Sequence, residues 1–240
     1  KHVIKGDFGC SLITGELVKE EILIRFPATL KLALAALLVS LLIAVPAGII
    51  SAVKQYSPID YLTMTGALLG VSMPNFWLGL LLILLFSVTL GWLPVCGYGG
   101  LRHIALPAIT LGTGMAAITT RLTRSSMLEV LKQDYIIAAR AKGLREKSIV
   151  SDHALKNAFI PVITVVGLQL GHLLEGTVIV ETIFAWPGLG KLLVDSIFAR
   201  DFAMLHGCVL YFAILFVIVN LLVDISYVYL DPRIRYEREA

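Results

Sequence analysis

Few residues in this chain can do chemistry, and most of them lie within apolar surroundings. His172 and Glu175 stand three apart, which on a helix puts both side chains on one face about one turn apart. Ionisable groups deep in hydrocarbon face a pathway or a partner helix. The pair therefore either locks by a mutual hydrogen bond or lines a path for polar cargo. It also offers two metal ligands, with His103 and His206 near the outer ends of their own apolar runs as further candidates. Two ligands do not make a site, and no metal is assigned. A second pattern, AWPGLGKLL, sets Gly188, Gly190 and Lys191 much as a phosphate-binding loop would. It lacks the GxxxxGK spacing, and Leu192 occupies the place of the magnesium-binding hydroxyl, so it is rejected as a nucleotide site. No Ser-His-Asp set, carboxylate dyad or HExxH helix occurs, which leaves hydrolytic chemistry without support. The three cysteines have no Cys-x-x-Cys spacing and give no metal or redox motif. Cys10 and Cys96 fall on the same expected side of a membrane, which leaves a disulfide open.

Those residues are carried by a very apolar chain. Its 240 residues are 58% hydrophobic and 15% charged, with mean hydropathy +0.86. Soluble domains have roughly a quarter of their residues charged, so the composition is that of an integral membrane protein. The net charge of +3 is small, and no aromatic-interleaved basic patch points to nucleic acid. Five apolar runs, 28–53, 62–90, 104–120, 158–183 and 207–227, approach the about 20 residues that cross a bilayer core as helix. An all-α membrane fold follows. Lys31 can snorkel to the interface. The second run holds Gly66 and Gly70 at GxxxG spacing, then Pro74 and Asn75 near its middle. A proline there kinks the span, either as a tolerated defect or as a functional hinge. Pro74 and Asn75 thus join His172 and Glu175 as pore-lining candidates. Pro107, Gly112 and Gly114 interrupt the third run, and Gly167 and Gly171 repeat the GxxxG spacing in the fourth. Residues 91–103 form a glycine-rich loop with interfacial Trp92 and Tyr98. In 184–205, Leu189, Leu192, Leu193 and Ile197 read as an amphipathic helix lying on the membrane.

The longest hydrophilic interval is 134–161, DYIIAARAKGLREKSIVSDHALKNAFIP. Ile136, Ile137, Ala138, Ala139 and Ala141 predict a first helix, and Gly143 permits a positive φ at its end. Leu144, Ile149, Ala154 and Leu155 predict a second helix. A loop that merely solvates has no need of so much Ala and Ile, and the pattern reads as a rigid bracket outside the membrane. Twelve Lys and Arg lie on the bracket side of the spans, against three in the two opposite loops and four in the amino-terminal segment. That bias puts the bracket and carboxyl terminus in the cytoplasm and the amino terminus outside.

The bracket resembles the cytoplasmic loop of ABC-importer permeases, Glu-Ala-Ala-x3-Gly-x9-Ile-x-Leu-Pro, with Ala138, Ala139 and Gly143 at matching positions. Ile137, His153 and Lys156 depart from it, as is usual in the peptide/nickel branch, to which ARAKGL and HALKNAFIP are similar. The similarity runs from about Gly6 to Arg235. It implies a multi-pass inner-membrane subunit of type I permease architecture, lacking one preceding transmembrane helix. It also implies an assembly with a second permease, two cytosolic ABC ATPases and an extracytoplasmic solute-binding protein. ATP and magnesium would be bound by the ATPases, and this chain would hold no cofactor and catalyse no reaction. Coupling would run through Ala138, Ala139, Gly143, Leu144, Arg145, Glu146, Lys147, Ser148, Asp152 and His153. Gly188, Asp195 and Arg200 would face the binding protein. The expected divisions are an extracytoplasmic segment, 1–27, a permease domain, 28–230, with a coupling loop at 122–157, and a cytoplasmic tail, 231–240. The resemblance implies as cargo a nickel chelate or a di- or oligopeptide, with glutathione as an alternative. SMPNFWL, GYGGLRHIALPA and FAWPGLG lean to nickel-type members. An intramembrane enzyme or receptor-like scaffold is the other class of function, and it would need a convergent nucleophile or metal set.

Overall fold

The computed structural model describes residues 8–230, except for the side chains of His172, Leu174, Glu175, Asp224 and residues 226–230. Helices α1 (Val18–Val53), α2 (Pro58–Ser72) and α3 (Asn75–Leu82) come first, and α3 runs on as π-helical turns over Ile83–Thr89. Next come α4 (Leu101–Leu131), α5 (Asp134–Ala141) and the single turn α6 (Glu146–Ser148). Through π-helical turns at Ile149–Ala154, α6 continues into α7 (Leu155–Ile183). The last two are α8 (Leu189–Ala199) and α9 (Phe202–Leu230). In hydrocarbon every backbone N–H and C=O must be satisfied within the chain, which favours helices throughout.

Among the described residues, four segments are long and apolar enough to cross a membrane: Val18–Val53, Leu101–Leu131, Glu146–Gly171 and Phe202–Val223. The α2–α3 pair makes a fifth when counted as one span, but the two helices meet at 106°. That exceeds the kink expected from a mid-span proline. Pro74 sits at the junction in extended conformation and caps α3, so the chain stops and restarts instead of bending. The amino-terminal boundary differs too. Helix α1 begins at Val18, and Pro27 lies inside it, because Val18 and Ile22 pack with Leu189, Leu192, Met204 and Cys208. Likewise α4 is one continuous helix from Leu101 to Leu131 despite Pro107, Gly112 and Gly114. The expected coupling loop, 122–157, is therefore helical for most of its length.

The bundle is organised on the close approach of α1 and α4. A Cβ on Gly112 would lie 2.7 Å from the Ala36 carbonyl oxygen, and one on Gly48 would lie 2.6 Å from Thr123 Cβ. Small residues at both levels let the two backbones touch, which in lipid replaces the missing hydrophobic drive with packing. Ala28, Leu32 and Ala36 of α1, Leu106, Leu111 and Met115 of α4 and Leu173 and Val180 of α7 form the central core. The α7 glycines serve the α7–α9 seam. A Cβ on Gly167 would meet Val223 at 2.9 Å, and one on Gly171 would meet Phe216 at 3.1 Å. Gly70 approaches Ala117, whereas Gly66 faces open space.

Candidate functional site

The bracket is a helix, an elbow and a second helix. Gly143 adopts φ +80°, while its amide donates to Arg140 O at 2.9 Å and the Leu144 amide to Ala139 O at 3.3 Å. These are the paired bonds of a Schellman termination of α5, which places the residue after the cap in the left-handed region. Arg140 then reaches across the elbow to Glu146, with Nε 2.7 Å from Oε1. Ser148 and Ser151 both donate to Asp152, at 2.8 and 2.9 Å, and Asn157 donates to the Tyr135 hydroxyl at 2.8 Å.

The bracket's Ala and Ile divide between a buried face and an exposed one. Ile136, Ala139, Ile149, Ala154 and Ala158 pack with Ala52 of α1 and Met127 of α4. Of the expected coupling residues, Ala139 is buried and Ser148 half-buried. Ala138, Gly143, Leu144, Arg145, Glu146, Lys147, Asp152 and His153 are exposed. Tyr135, Ile137 and Leu144 give this outward surface an apolar component, 40%, 54% and 42% exposed, beside Arg140, Arg145 and Lys147.

At the opposite end of α7 the glycine-rich AWPGLGK stretch binds an anion, and that anion is the protein's own. Glu181 is fully buried. Its Oε2 accepts from the amides of Gly190 at 2.7 Å and Lys191 at 3.1 Å, the first turn of α8. Its Oε1 accepts from the Thr29 hydroxyl of α1 at 2.7 Å, and Thr29 Oγ1 in turn accepts from the Leu189 amide at 2.8 Å. Every group around the carboxyl donates, so this shell fits the carboxylate. A helix N-terminus suits it, since the first amides have no partner in their own helix. The glycines follow from the same geometry. A Cβ on Gly188 would lie 2.2 Å from Glu181 Oε1, and one on Gly190 would lie 2.5 Å from Val178 Cα. Trp186 closes the cradle, with Nε1 donating to Ala28 O at 2.9 Å. The look-alike of a phosphate loop is thus already filled.

With a buried-footed bracket at one end of α7 and a carboxylate-locked helix at the other, the architecture can be compared with known proteins. Residues 44–236 match the model of the binding-protein-dependent transport system inner membrane component family. The chain belongs to that family. It is a permease subunit of an ABC importer and a multi-pass inner-membrane protein. It is 46% identical over 236 residues to the glutathione transport system permease protein GsiC of Salmonella typhimurium, covering 98% of this chain and 77% of the relative. It is also 46% identical over 265 residues to the di/tripeptide transport system permease protein DppB of Pseudomonas aeruginosa, covering 99% and 79%. In fold it matches a chain of the inward-facing MetNI methionine ABC transporter. The TM-score is 0.75 at 16% identity, covering 88% of this chain and 96% of that one.

The remaining expected site residues are scattered. Gly188 is buried against Glu181, a correction to its outward assignment, whereas Asp195 and Arg200 are exposed on α8. Arg200 caps α8 in the left-handed region, φ 58°. Leu189 and Leu192 are buried within the protein instead of facing lipid, while Ile197 and Phe198 of the same helix are exposed. Asn75 opens α3, and Pro74 before it is exposed. His103 lies against Gly99, and His206 Nδ1 lies 2.6 Å from its own helix's Phe202 O. Among the described residues no three His, Cys, Asp or Glu gather as a metal group. The side chains of His172 and Glu175 lie outside the described residues. Cys10, Cys96 and Cys208 are free thiols.

Several polar centres escaped the reading of the sequence. One is Glu181, which the rule that singled out Glu175 also covers. Another is Asp60, 2% exposed, which holds Arg124 Nε at 2.7 Å and Nη2 at 2.8 Å and accepts from Ser51 and from the Tyr56 amide. Its signal was Ser57-Pro58 before it, a helix cap with proline at the first position. A third is Gln169 on α7, 8% exposed, which donates to Thr119 at 3.1 Å.

Proposed function

We propose that this subunit admits a glutathione-like or di/tripeptide-like solute and is driven through the bracket by a cytosolic ATPase. The assembly then holds a second permease, two ATPases carrying ATP and magnesium, and an extracytoplasmic binding protein. The amino terminus lies outside and the carboxyl terminus in the cytoplasm. The observation that carries the coupling role is the bracket's two-sidedness. Its inner face is fixed into the ends of α1, α4 and α7, while Tyr135, Ile137, Ala138 and Leu144 stand outward beside the exposed cations Arg145 and Lys147 and the Arg140–Glu146 pair. An apolar patch on a rigid mount fits a partner's groove. The cargo class is supported by the two relatives, whose names specify glutathione and di/tripeptide; neither name specifies nickel. The proposed division of labour, with nucleotide chemistry in the partner, is supported by the glycine-rich stretch at 188–191, which takes up the protein's own Glu181.

The test is Gly143→Val. A β-branched residue at φ +80° costs roughly 1–2 kcal/mol or more and dismantles the Schellman bonds. The expected result is an inserted permease that no longer retains its ATPase on co-purification. Normal retention with normal uptake refutes the docking role.

A further inference from the structure

We infer that Asn75 and Gln169 form an intramembrane subsite for one peptide unit of the cargo. Gln169 Oε1 accepts its N–H, and the Asn75 amide donates to its carbonyl or carboxylate oxygen. The inference rests on the peptide-like cargo proposed above. Where α3, α4 and α7 meet, a cavity of about 220 Å³ is lined by Asn75, Leu111, Gly114, Met115, Gln169 and Leu173, among others. Its walls are otherwise apolar, so two carboxamides are conspicuous there.

Gln169 is more than nine-tenths buried, and its Nε2 is used internally on Thr119. Its Oε1 has no hydrogen-bond partner among the described residues. A buried acceptor left unfilled is costly, and sites built to satisfy such a group with ligand discriminate strongly for the matching donor. The Asn75 amide likewise has no hydrogen bond among the described residues, and it stands at the first turn of α3, whose leading amides have no partner in their own helix. Room has been kept around it. A Cβ on Gly114 would lie 3.4 Å from Asn75 Oδ1, and one on Gly176 would lie 3.6 Å from Nδ2. The break between α2 and α3 sets this amide at the junction of two apolar helices, the arrangement by which discontinuous helices present polar groups to cargo.

The cavity is smaller than the roughly 300–1,000 Å³ of sites that enclose a whole small molecule. It therefore takes a peptide unit in passage and leaves the side chains outside. A larger cavity of about 430 Å³ where α7, α8 and α9 meet is lined by Val178, Leu193, Phe212, Phe216 and others, with no polar side chain among the described lining residues.

The experiment is ATP-driven uptake of labelled glutathione and labelled Gly-Leu by the complete importer in proteoliposomes. Gln169→Leu and Asn75→Ala are each expected to raise KM for the transported probe about tenfold, with basal ATPase activity within about twofold of the parent. Gln169→Glu, which keeps an acceptor, is expected to transport Gly-Leu better than Gln169→Leu. Should Gln169→Leu fail to assemble, Asn75→Ala decides alone, since it removes no hydrogen bond among the described residues. Unchanged KM in the variants, with the parent transporting a probe, overturns the subsite and leaves the cargo class standing. A parent importer that moves neither probe overturns the cargo class, and the subsite with it.

Discussion

Gly188→Ala tests the outer lock most directly. The added methyl would sit 2.2 Å from Glu181 Oε1 and 2.3 Å from both Cδ and Oε2, so the carboxylate must move. Glu181 is fully buried and has no solvent to move into. Displacing it breaks the bonds from the Thr29 hydroxyl and the Gly190 amide, each 2.7 Å. Hydrogen bonds to a charged group are worth about 1.5–3 kcal/mol each, so the loss is roughly 3–6 kcal/mol. The assay is thermal unfolding of the detergent-solubilised complex together with hydrogen exchange of the α8 amides. A lowered Tm and faster exchange at Gly190 and Lys191 are expected. A double-mutant cycle with Glu181→Ala isolates the clash, because removing the carboxylate makes room for the methyl. In that background Gly188→Ala is expected to cost much less. A single Gly188→Ala variant with parental Tm and parental α8 protection refutes the reasoning.

Three further outcomes follow from other polar centres. Arg124→Ala leaves Asp60 buried without its cation, and is expected to destabilise the complex by about 3–5 kcal/mol; the paired Asp60→Asn, Arg124→Met variant recovers much of the loss in the same melts. Burial alone would raise the pKa of Asp201, but the Ser11 hydroxyl and the Met204 and Leu12 amides outweigh it and hold the carboxyl below the usual range. That stability is complete above the ordinary carboxylate pKa and is lost as pH falls through the lowered one, so Asp201→Asn is expected to flatten the acid limb of the Tm–pH curve. Finally, a cysteine at Asp195 is expected to crosslink to the binding protein in the ATP-trapped importer; crosslinks to a cytosolic ATPase instead refute the orientation.

Much of the helix content was legible because hydrocarbon demands it and apolar runs announce it. Gly143 could be read as an elbow because its flanking Ala and Ile patterns stop and restart around it. What the pattern hid were partnerships across the sequence. Glu181 and Thr29 are joined by a hydrogen bond, yet no local spacing links them. The Pro74 break looked like a kink because one proline cannot reveal whether the preceding helix continues; here Met73 and Pro74 are both extended. Gly188 was expected to face the binding protein as part of the outer segment 184–205, whereas a buried carboxylate occupies the space its side chain would take.

Bracket, carboxamide cavity and outer lock share one rod. Helical turns run from Glu146 through Gln169 to Glu181, with Pro161 the only residue inside α7 lacking an amide to donate. A proline is the softest point of such a rod. The lower arm, Glu146 to Pro161, is the shorter, with fewer residues and part of them in wider π-helical turns, and the upper arm, Pro161 to Glu181, is about 30 Å long at 1.5 Å per residue. A see-saw with those arms returns a displacement at the bracket enlarged at the far end. Stiffening that fulcrum, for example with Pro161→Ala, would change the gearing between the two sides of the membrane without touching either.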